Sequence, residues 1–346
     1  MKSVIIGGNF GKDTKESSVI NKLAESIVSS KLNGGTINDI VYVSENLEEY
    51  DLIVWAPNIN NDIEKIYPKK GNGSVLICSK VLRENRDFGD AVARIFKMNA
   101  NAVIAIDSTS KPFMFNLIDA LGNVWCKTSN IDELALSIDK LYKWTKASTR
   151  VRSNNIIFDN TELCNLELSE LCNVVRTVAD KVENERGGRY FGNVSTRCSK
   201  MFPSYRISDD IILMSGRNTA KDRLTNEDFV FTKLLNGDVL YHGDKKPSVD
   251  TPIQLNMYKE FKNINFIIHG HAYIESAETT EHYFPCGDLR ELSVVKDKLD
   301  SNTTRIVLNL KNHGFVIGAS TLDELKEIIN ISNFKYRNIG QELAHE

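Results

Sequence analysis

The sequence predicts a two-domain α/β protein. Three observations carry that expectation: apolar runs alternating with amphipathic stretches up to Thr145, a polar and basic lapse after it, and a fresh start of helical periodicity from Leu168. At 346 residues the chain is long enough for two ordinary domains, and its 41% hydrophobic content supplies a core for each.

Val4-Ile5-Ile6, Leu52-Ile53-Val54-Trp55, Ser74-Val75-Leu76-Ile77 and Ala102-Val103-Ile104-Ala105-Ile106 are short apolar runs of strand length. Such runs mark strands buried on both faces of a parallel sheet. Helices are expected between them, over Ser17–Ser29, Phe88–Met98 and Ile131–Trp144. In the last, Ser129 or Asn130 can N-cap, and Ile131, Leu134, Ile138 and Leu141 form an apolar stripe. The succession describes an open α/β sheet of Rossmann-like kind.

From Thr145 to Asn155 the pattern lapses, with Lys146, Arg150 and Arg152 among polar residues. A boundary there gives domains over residues 1–147 and 155–346. In the second, Leu168, Leu171, Val174, Val175, Val178 and Val182 recur at helical spacing, with Gly187-Gly188 as the expected stop. Short strands and turns follow, with one helix opening at Pro252 and another at Leu322.

No run approaches the roughly 18 apolar residues of a membrane span, and Met1 leads into a strand-like segment rather than a signal peptide. A cytoplasmic protein is expected. Cys78, Cys126, Cys164, Cys172, Cys198 and Cys286 are scattered without a Cys-x-x-Cys pair, the usage of reduced thiols, so neither disulfides nor a thiolate metal site is expected. A net charge of -3 without long runs of one sign leaves no footprint for nucleic acid, and a small molecule is the expected partner.

Two of the six histidines stand in Ile267-Ile268-His269-Gly270-His271, at the end of an apolar strand. Residues i and i+2 of a strand share a face, so both imidazoles can reach one ion at about 2.0 to 2.1 Å. A His-x-His pair alone is more often an ordinary strand feature than a ligand pair. His313 follows the strand Ile306–Leu310 in the turn Asn312-His313-Gly314, and three histidines with an open position describe a catalytic zinc site.

These histidines lie within a longer pattern: Gly192-Asn193-Val194-Ser195-Thr196-Arg197, Met214-Ser215-Gly216, Leu224-Thr225-Asn226-Glu227-Asp228, Lys246-Pro247-Ser248-Val249-Asp250-Thr251-Pro252, His269-Gly270-His271, Phe284-Pro285-Cys286 and Asn312-His313-Gly314-Phe315-Val316. In this order, from about residue 165 to 332, they resemble the class II aldolase/adducin family. Its zinc enzymes include fuculose-phosphate and rhamnulose-phosphate aldolases and ribulose-phosphate 4-epimerases. The resemblance implies a class II aldolase-like α/β domain acting on a ketose phosphate through a metal-stabilised enediolate, as an aldehyde-lyase or 4-epimerase. It implies His269, His271 and His313 as ligands of Zn2+, or of Mn2+ or Co2+ in its place.

By the same resemblance Gly192, Asn193, Ser215, Gly216 and Ser248 fall at the substrate phosphate, where small residues admit backbone N–H groups and Asn and Ser add donors. A tight turn with positive φ is the structural alternative for Gly192-Asn193. Asp250 stands where aldolases usually carry a glutamate and the epimerases an aspartate, which makes it the acid/base; its structural alternative is helix capping ahead of Pro252. Val249 departs from the family by replacing the second serine of a Ser-Ser pair. Glu281 and His282 are candidates for a second acid/base, and Tyr336 for a contact with a neighbouring subunit's site. A homo-oligomer is implied, a tetramer favoured. Beside the aldolase or epimerase stand a zinc-dependent sugar-phosphate dehydratase and a non-catalytic adducin-like binding module.

In the first domain, Ile5-Ile6-Gly7-Gly8, Lys69-Lys70, Leu76-Ile77-Cys78-Ser79-Lys80, the segment Asn101–Asp107 and Asn116-Leu117-Ile118-Asp119 resemble the nucleotide-binding fold of phosphopantothenoylcysteine synthetase. That resemblance opens a further alternative, a nucleotide-dependent ligase. The turn Gly7-Gly8-Asn9-Phe10-Gly11 is neither a Gly-x-Gly-x-x-Gly fingerprint nor a P-loop, and Ile106 replaces an asparagine of that family. A docking or oligomerisation role is the other expectation for this domain.

Overall fold

The computed structural model describes residues 3–5, 22, 26, 39–40, 46–48, 50–55, 69–71, 73–82, 88–107, 109–148, 153–155, 168–179, 185–186, 188–204 and 207–336. The chain divides into two compact units, Met1–Lys146 and Ala147–Arg337.

The first unit is built on seven strands: β1 (Ser3–Ile5), β2 (Asp39–Ile40), β3 (Leu52–Trp55), β4 (Val75–Leu82), β5 (Ala102–Asp107), β6 (Met114–Asp119) and β7 (Val124–Thr128). Their order is β2-β1-β3-β4-β5-β6-β7. The first five run parallel, so the four apolar runs of the sequence are parallel strands as expected. β6 and β7 instead add an antiparallel edge. Asn116, Asp119 and Lys127 interrupt their apolar pattern, and the turn between them is fixed by Asp119, whose Oδ1 accepts from the N–H of Leu121 (2.9 Å) and Asn123 (3.0 Å). Helix α1 spans Phe88–Lys97 and α2 spans Ile131–Ser148. Asn130 Oδ1 accepts from Asp132 N at 2.8 Å, the cap expected there, while α2 runs a turn past Trp144. Leu134, Ile138 and Leu141 of α2 pack with Val54, Ile77, Ile104 and Leu117. Of the helix expected over Ser17–Ser29, only Lys22 and Ser26 lie among the described residues, both helical; the Gly7–Gly11 turn lies outside them.

The second unit holds β8 (Ser153–Asn155), β9 (Asn193–Arg197), β10 (Ile212–Ser215), β11 (Phe229–Leu235), β12 (Asp238–His242), β13 (Phe266–Gly270), β14 (Glu278–Thr279), β15 (Arg305–Leu310) and β16 (Gly314–Ala319). They form one sheet in the order β8-β12-β11-β10-β9-β13-β16-β15-β14. Its seven inner strands pair antiparallel, and each edge strand is parallel to its neighbour. The helices are α3 (Ser169–Ala179), α4 (Thr251–Glu260), α5 (Glu291–Lys296) and α6 (Leu322–Ile331).

Strand alternation sorts the apolar residues into two layers. Phe266 and Ile268 of β13 and Val194 of β9 pack with Leu171 and Val175 of α3 and with Leu325 and Ile328 of α6. Ile267, between them, points the other way and packs with Ile253 and Tyr258 of α4. The sheet is therefore covered on both faces, and β13 places His269 on the face of Ile267, the side of α4.

One expectation is corrected here. Gly187-Gly188 does not stop α3, because Glu185–Arg186 is already extended and pairs with Arg189–Tyr190. Gly188, at φ +81°, turns that hairpin, a conformation open to glycine without penalty. Among the described residues no helix is long and apolar enough to cross a membrane.

Candidate metal centre

Two chain segments meet at the end of β13. His269 is its fourth residue, His271 stands just past it, and His313 occupies the turn between β15 and β16. All three are buried, and their ligand nitrogens lie within 4.8 Å of one another. Ring centroids are 5.2 Å apart for His269 and His271, 4.7 Å for His269 and His313, and 5.3 Å for His271 and His313. Gly314 makes this approach possible. A Cβ on it would lie 2.0 Å from Gly270 O and 2.8 Å from the His271 Cα, so a side chain there would push the third histidine away.

Hydrogen bonds fix which nitrogens face inward. The Nδ1–H of His269 donates to Phe315 O at 2.7 Å, which leaves its Nε2 lone pair pointing at the cluster. His313 Nδ1 meets Glu291 Oε1 at 2.6 Å, so its Nε2 also faces in, 3.1 Å from Cys286 Sγ. Burial, and then the charge of His313, lower the His269 pKa to about 4, so its imidazole stays neutral. Burial would also lower His313, but Glu291 and Cys286 outweigh it and hold that imidazole well above its usual pKa. Burial raises Glu291, and His313 opposes the shift.

Asp250 completes the cluster. It occupies the N-cap position of α4, yet its side chain makes no capping hydrogen bond, so the capping alternative fails for this carboxylate. Asp250 Oδ2 instead accepts from Asn193 Nδ2 at 3.0 Å and lies 3.8 Å from His269 Nε2. Among the described residues, His269 Nε2 and Asp250 Oδ1 are both buried without a hydrogen-bond partner. Such an atom costs about 1–3 kcal/mol in a folded protein, and a cation among three imidazoles and a carboxylate would remove that penalty. The donor set therefore fits a divalent ion.

Behind Asp250 a polar ladder connects α4 to β9. Gln254 Nε2 donates to Asn193 Oδ1, Ser195 Oγ donates to Gln254 Oε1 at 2.5 Å, and Ser195 Oγ lies 2.9 Å from Tyr258 OH. Asp250, Gln254 and Tyr258 are spaced by four on the helix, and Asn193 and Ser195 by two on the strand, so both periodicities present the same seam. Asn193 also sits directly across from His269 in the β9–β13 register.

The other expected residues are placed as follows. Gly192, at φ +76°, lies against His269, where a Cβ would be 2.7 Å from that residue's carbonyl oxygen. Asn193 gives its amide N–H groups to Ser248 Oγ (3.1 Å) and Asp250. Ser215 is fully buried and its Oγ accepts from Val194 N at 3.1 Å. Gly216 N donates to Asp228 O at 2.7 Å, and the residue bridges to Pro247, which brings it beside Ser248. Glu281 and His282 are exposed, with Lys311 Nζ donating to Glu281 O at 3.0 Å, and Tyr336 is exposed.

Sequence reasoning passed over Glu291, Gln254, Arg217 and Lys221. Desolvation lowers the Arg217 guanidinium and the Asp250 carboxylate opposes that shift. Lys221 is buried, donates to Thr219 O at 2.6 Å, and is lowered by burial to about 8. Arg217 directly follows Ser215-Gly216, the one signal available for it, and Lys221, four residues further on, had none.

Residues 169–333 match the family described as Class II Aldolase and Adducin N-terminal domain. Among solved structures, the chain is similar to an L-fuculose 1-phosphate aldolase at 18% identity, over 49% of this chain and 81% of that one, with a TM-score of 0.36. It is similar to YgbL of Klebsiella pneumoniae at 16% identity, over 51% and 96%, with a TM-score of 0.34. The N-terminal class II aldolase domain of a conserved protein from Thermoplasma acidophilum is 15% identical over 51% and 92%, with a TM-score of 0.35.

Proposed function

Residues 169–333 are a class II aldolase and adducin family domain, and from that premise we propose that the chain is a divalent-metal-dependent aldehyde-lyase or 4-epimerase acting on a ketose phosphate. The observation that supports it most is the pairing of three convergent buried imidazoles with a carboxylate that does not cap its helix. His269, His271 and His313 would hold the ion, zinc in first place, with Mn2+ or Co2+ as substitutes. When bound, it supplies a Lewis acid against the negative charge that develops on the substrate oxygens.

Asp250 is the acid/base. Asn193 holds its Oδ2, so Oδ1 is the working atom, placed to take a proton from, or return one to, the carbon α to the substrate carbonyl. The substrate's anionic end falls to the Ser248 hydroxyl, the Gly192 turn and Arg217, since the Asn193 amide and the Gly216 N–H are engaged within the protein. A guanidinium there offsets the hydroxyl that Val249 lacks. The aspartate at position 250, in place of a glutamate, favours epimerisation as the second outcome of the same chemistry. Cytoplasmic location and a homo-oligomer, a tetramer before other orders, belong to the same reading.

Elemental analysis should find about one zinc or similar ion per chain. A panel of ketose phosphates, followed by NMR for aldehyde release and for epimer formation, should then identify a substrate. A metal-free protein that gains no activity with Zn2+, Mn2+ or Co2+ overturns the proposal.

A further inference from the structure

The turn that delivers Glu291 also delivers Cys286, and both touch one imidazole. Glu291 meets His313 Nδ1 at 2.6 Å and Cys286 Sγ lies 3.1 Å from Nε2, so a short segment grips both ring nitrogens. Gly287, at φ +78°, bends the chain between them. Asp288 N donates to Pro285 O at 3.0 Å, and Glu291 N donates to Asp288 O at 3.0 Å. Asp250, Cys286 and His313 offer ligand atoms that all lie within 4.8 Å of one another, and they share His313 with the histidine cluster.

We propose that the Cys286 thiolate is itself a ligand of the ion held by His269, His271 and His313, so that sulfur closes the fourth position at rest. This rests on the three-histidine reading given above. It also departs from the sequence expectation of no thiolate site, because Cys286 and His313 are 27 residues apart and meet only through the fold.

The Sγ–Nε2 distance is short enough for two ligands of one ion. With Zn–S near 2.3 Å and Zn–N near 2.05 Å, two ligands on one ion stand about 3.1 Å apart at a right angle and about 3.6 Å apart at the tetrahedral angle. The observed 3.1 Å is within about half an ångström of the tetrahedral value. On coordination the thiol proton leaves to solvent as the sulfur–metal bond forms, with no change of oxidation state. Sulfur also sets the preference among ions: Zn2+ and Co2+ over Mg2+ and Mn2+. Asp250, whose Oδ2 lies 3.8 Å from His269 Nε2, keeps its unpartnered Oδ1 for the acid/base role beside the sulfur.

The alternative is a weak thiol–imidazole hydrogen bond, and the two forecasts differ. Full-length protein is stripped with a chelator and reloaded with Co2+. The expected result is one cobalt per chain, visible bands of a four-coordinate site, and a near-ultraviolet thiolate-to-cobalt charge-transfer band. Cys286→Ser and Cys286→Ala should keep the cobalt and lose that band. Cobalt bound by the wild type without the band, or a band that survives both substitutions, overturns the sulfur ligand and leaves the histidine site standing. Failure of the wild type to bind cobalt at all removes the histidine site and this proposal together.

Discussion

Asp250 stands at the N-cap position of α4 without capping it, and substitution tests the acid/base role that remains. In Asp250→Asn the amide oxygen can still take the place of Oδ2 and accept from Asn193, while the amide nitrogen takes the place of Oδ1 and cannot accept a proton. Metal content and fold should persist and turnover should fall by about 10²-fold or more. A capping role would leave the rate nearly unchanged, because asparagine caps about as well as aspartate. His271→Ala should instead lose the ion, seen as loss of metal through gel filtration. Lys221 offers a test that needs no substrate. Burial lowers its pKa from 10.5 to about 8, so between those values the unfolded chain holds a proton that the folded one has released. Stability therefore rises with pH from about 8 to 10.5, and it is lost again as pH falls through the folded value. A shift of about 2.5 units corresponds to about 3 kcal/mol. Lys221→Met should abolish that rise when denaturant midpoints of variant and wild type are compared across the window; parallel curves would reject the buried ammonium.

Elements differ in how openly the sequence announces them. β3, β4 and β5 were legible because parallel strands buried on both faces are apolar throughout. β6 and β7 were not, since an edge hairpin tolerates Asn116 and Lys127. The His269-Gly270-His271 pair could be read from strand alternation, and His313 from its turn. The partners that orient these histidines could not. Glu291 opens α5, 22 residues before His313, with no periodic signal linking them, and Gln254 looks like an ordinary polar residue of α4. The α5 contact predicts its own phenotype. Glu291→Gln replaces a carboxylate that accepts from His313 Nδ1 with a weaker acceptor, so metal affinity should drop by about 10- to 100-fold while the fold is kept. Competition with a chromogenic chelator measures this. An unchanged affinity would make Glu291 a packing residue and nothing more.

Across the whole molecule, the apolar clusters respect the division into two units. One cluster joins Leu52, Ile77, Ile104 and Leu141, and two others join the layers around β13, with no residue in common. The site follows the same division, because every group described in it lies between Gly192 and Phe315. An ion that binds the folded second unit and not its unfolded chain stabilises that unit by mass action, about 4 kcal/mol at a thousand-fold excess over Kd. Because the described groups of the site all belong to the second unit, hydrogen exchange on the full chain should resolve where that free energy is felt. Adding zinc to stripped protein should slow exchange in 192–196, 266–271, 284–291 and 312–317 and leave 75–82 and 102–128 unchanged. Protection that spreads into β4, β5 and β6 would mean that the two units fold as one cooperative block, and the metal would then be a switch for the first domain as well as a cofactor of the second.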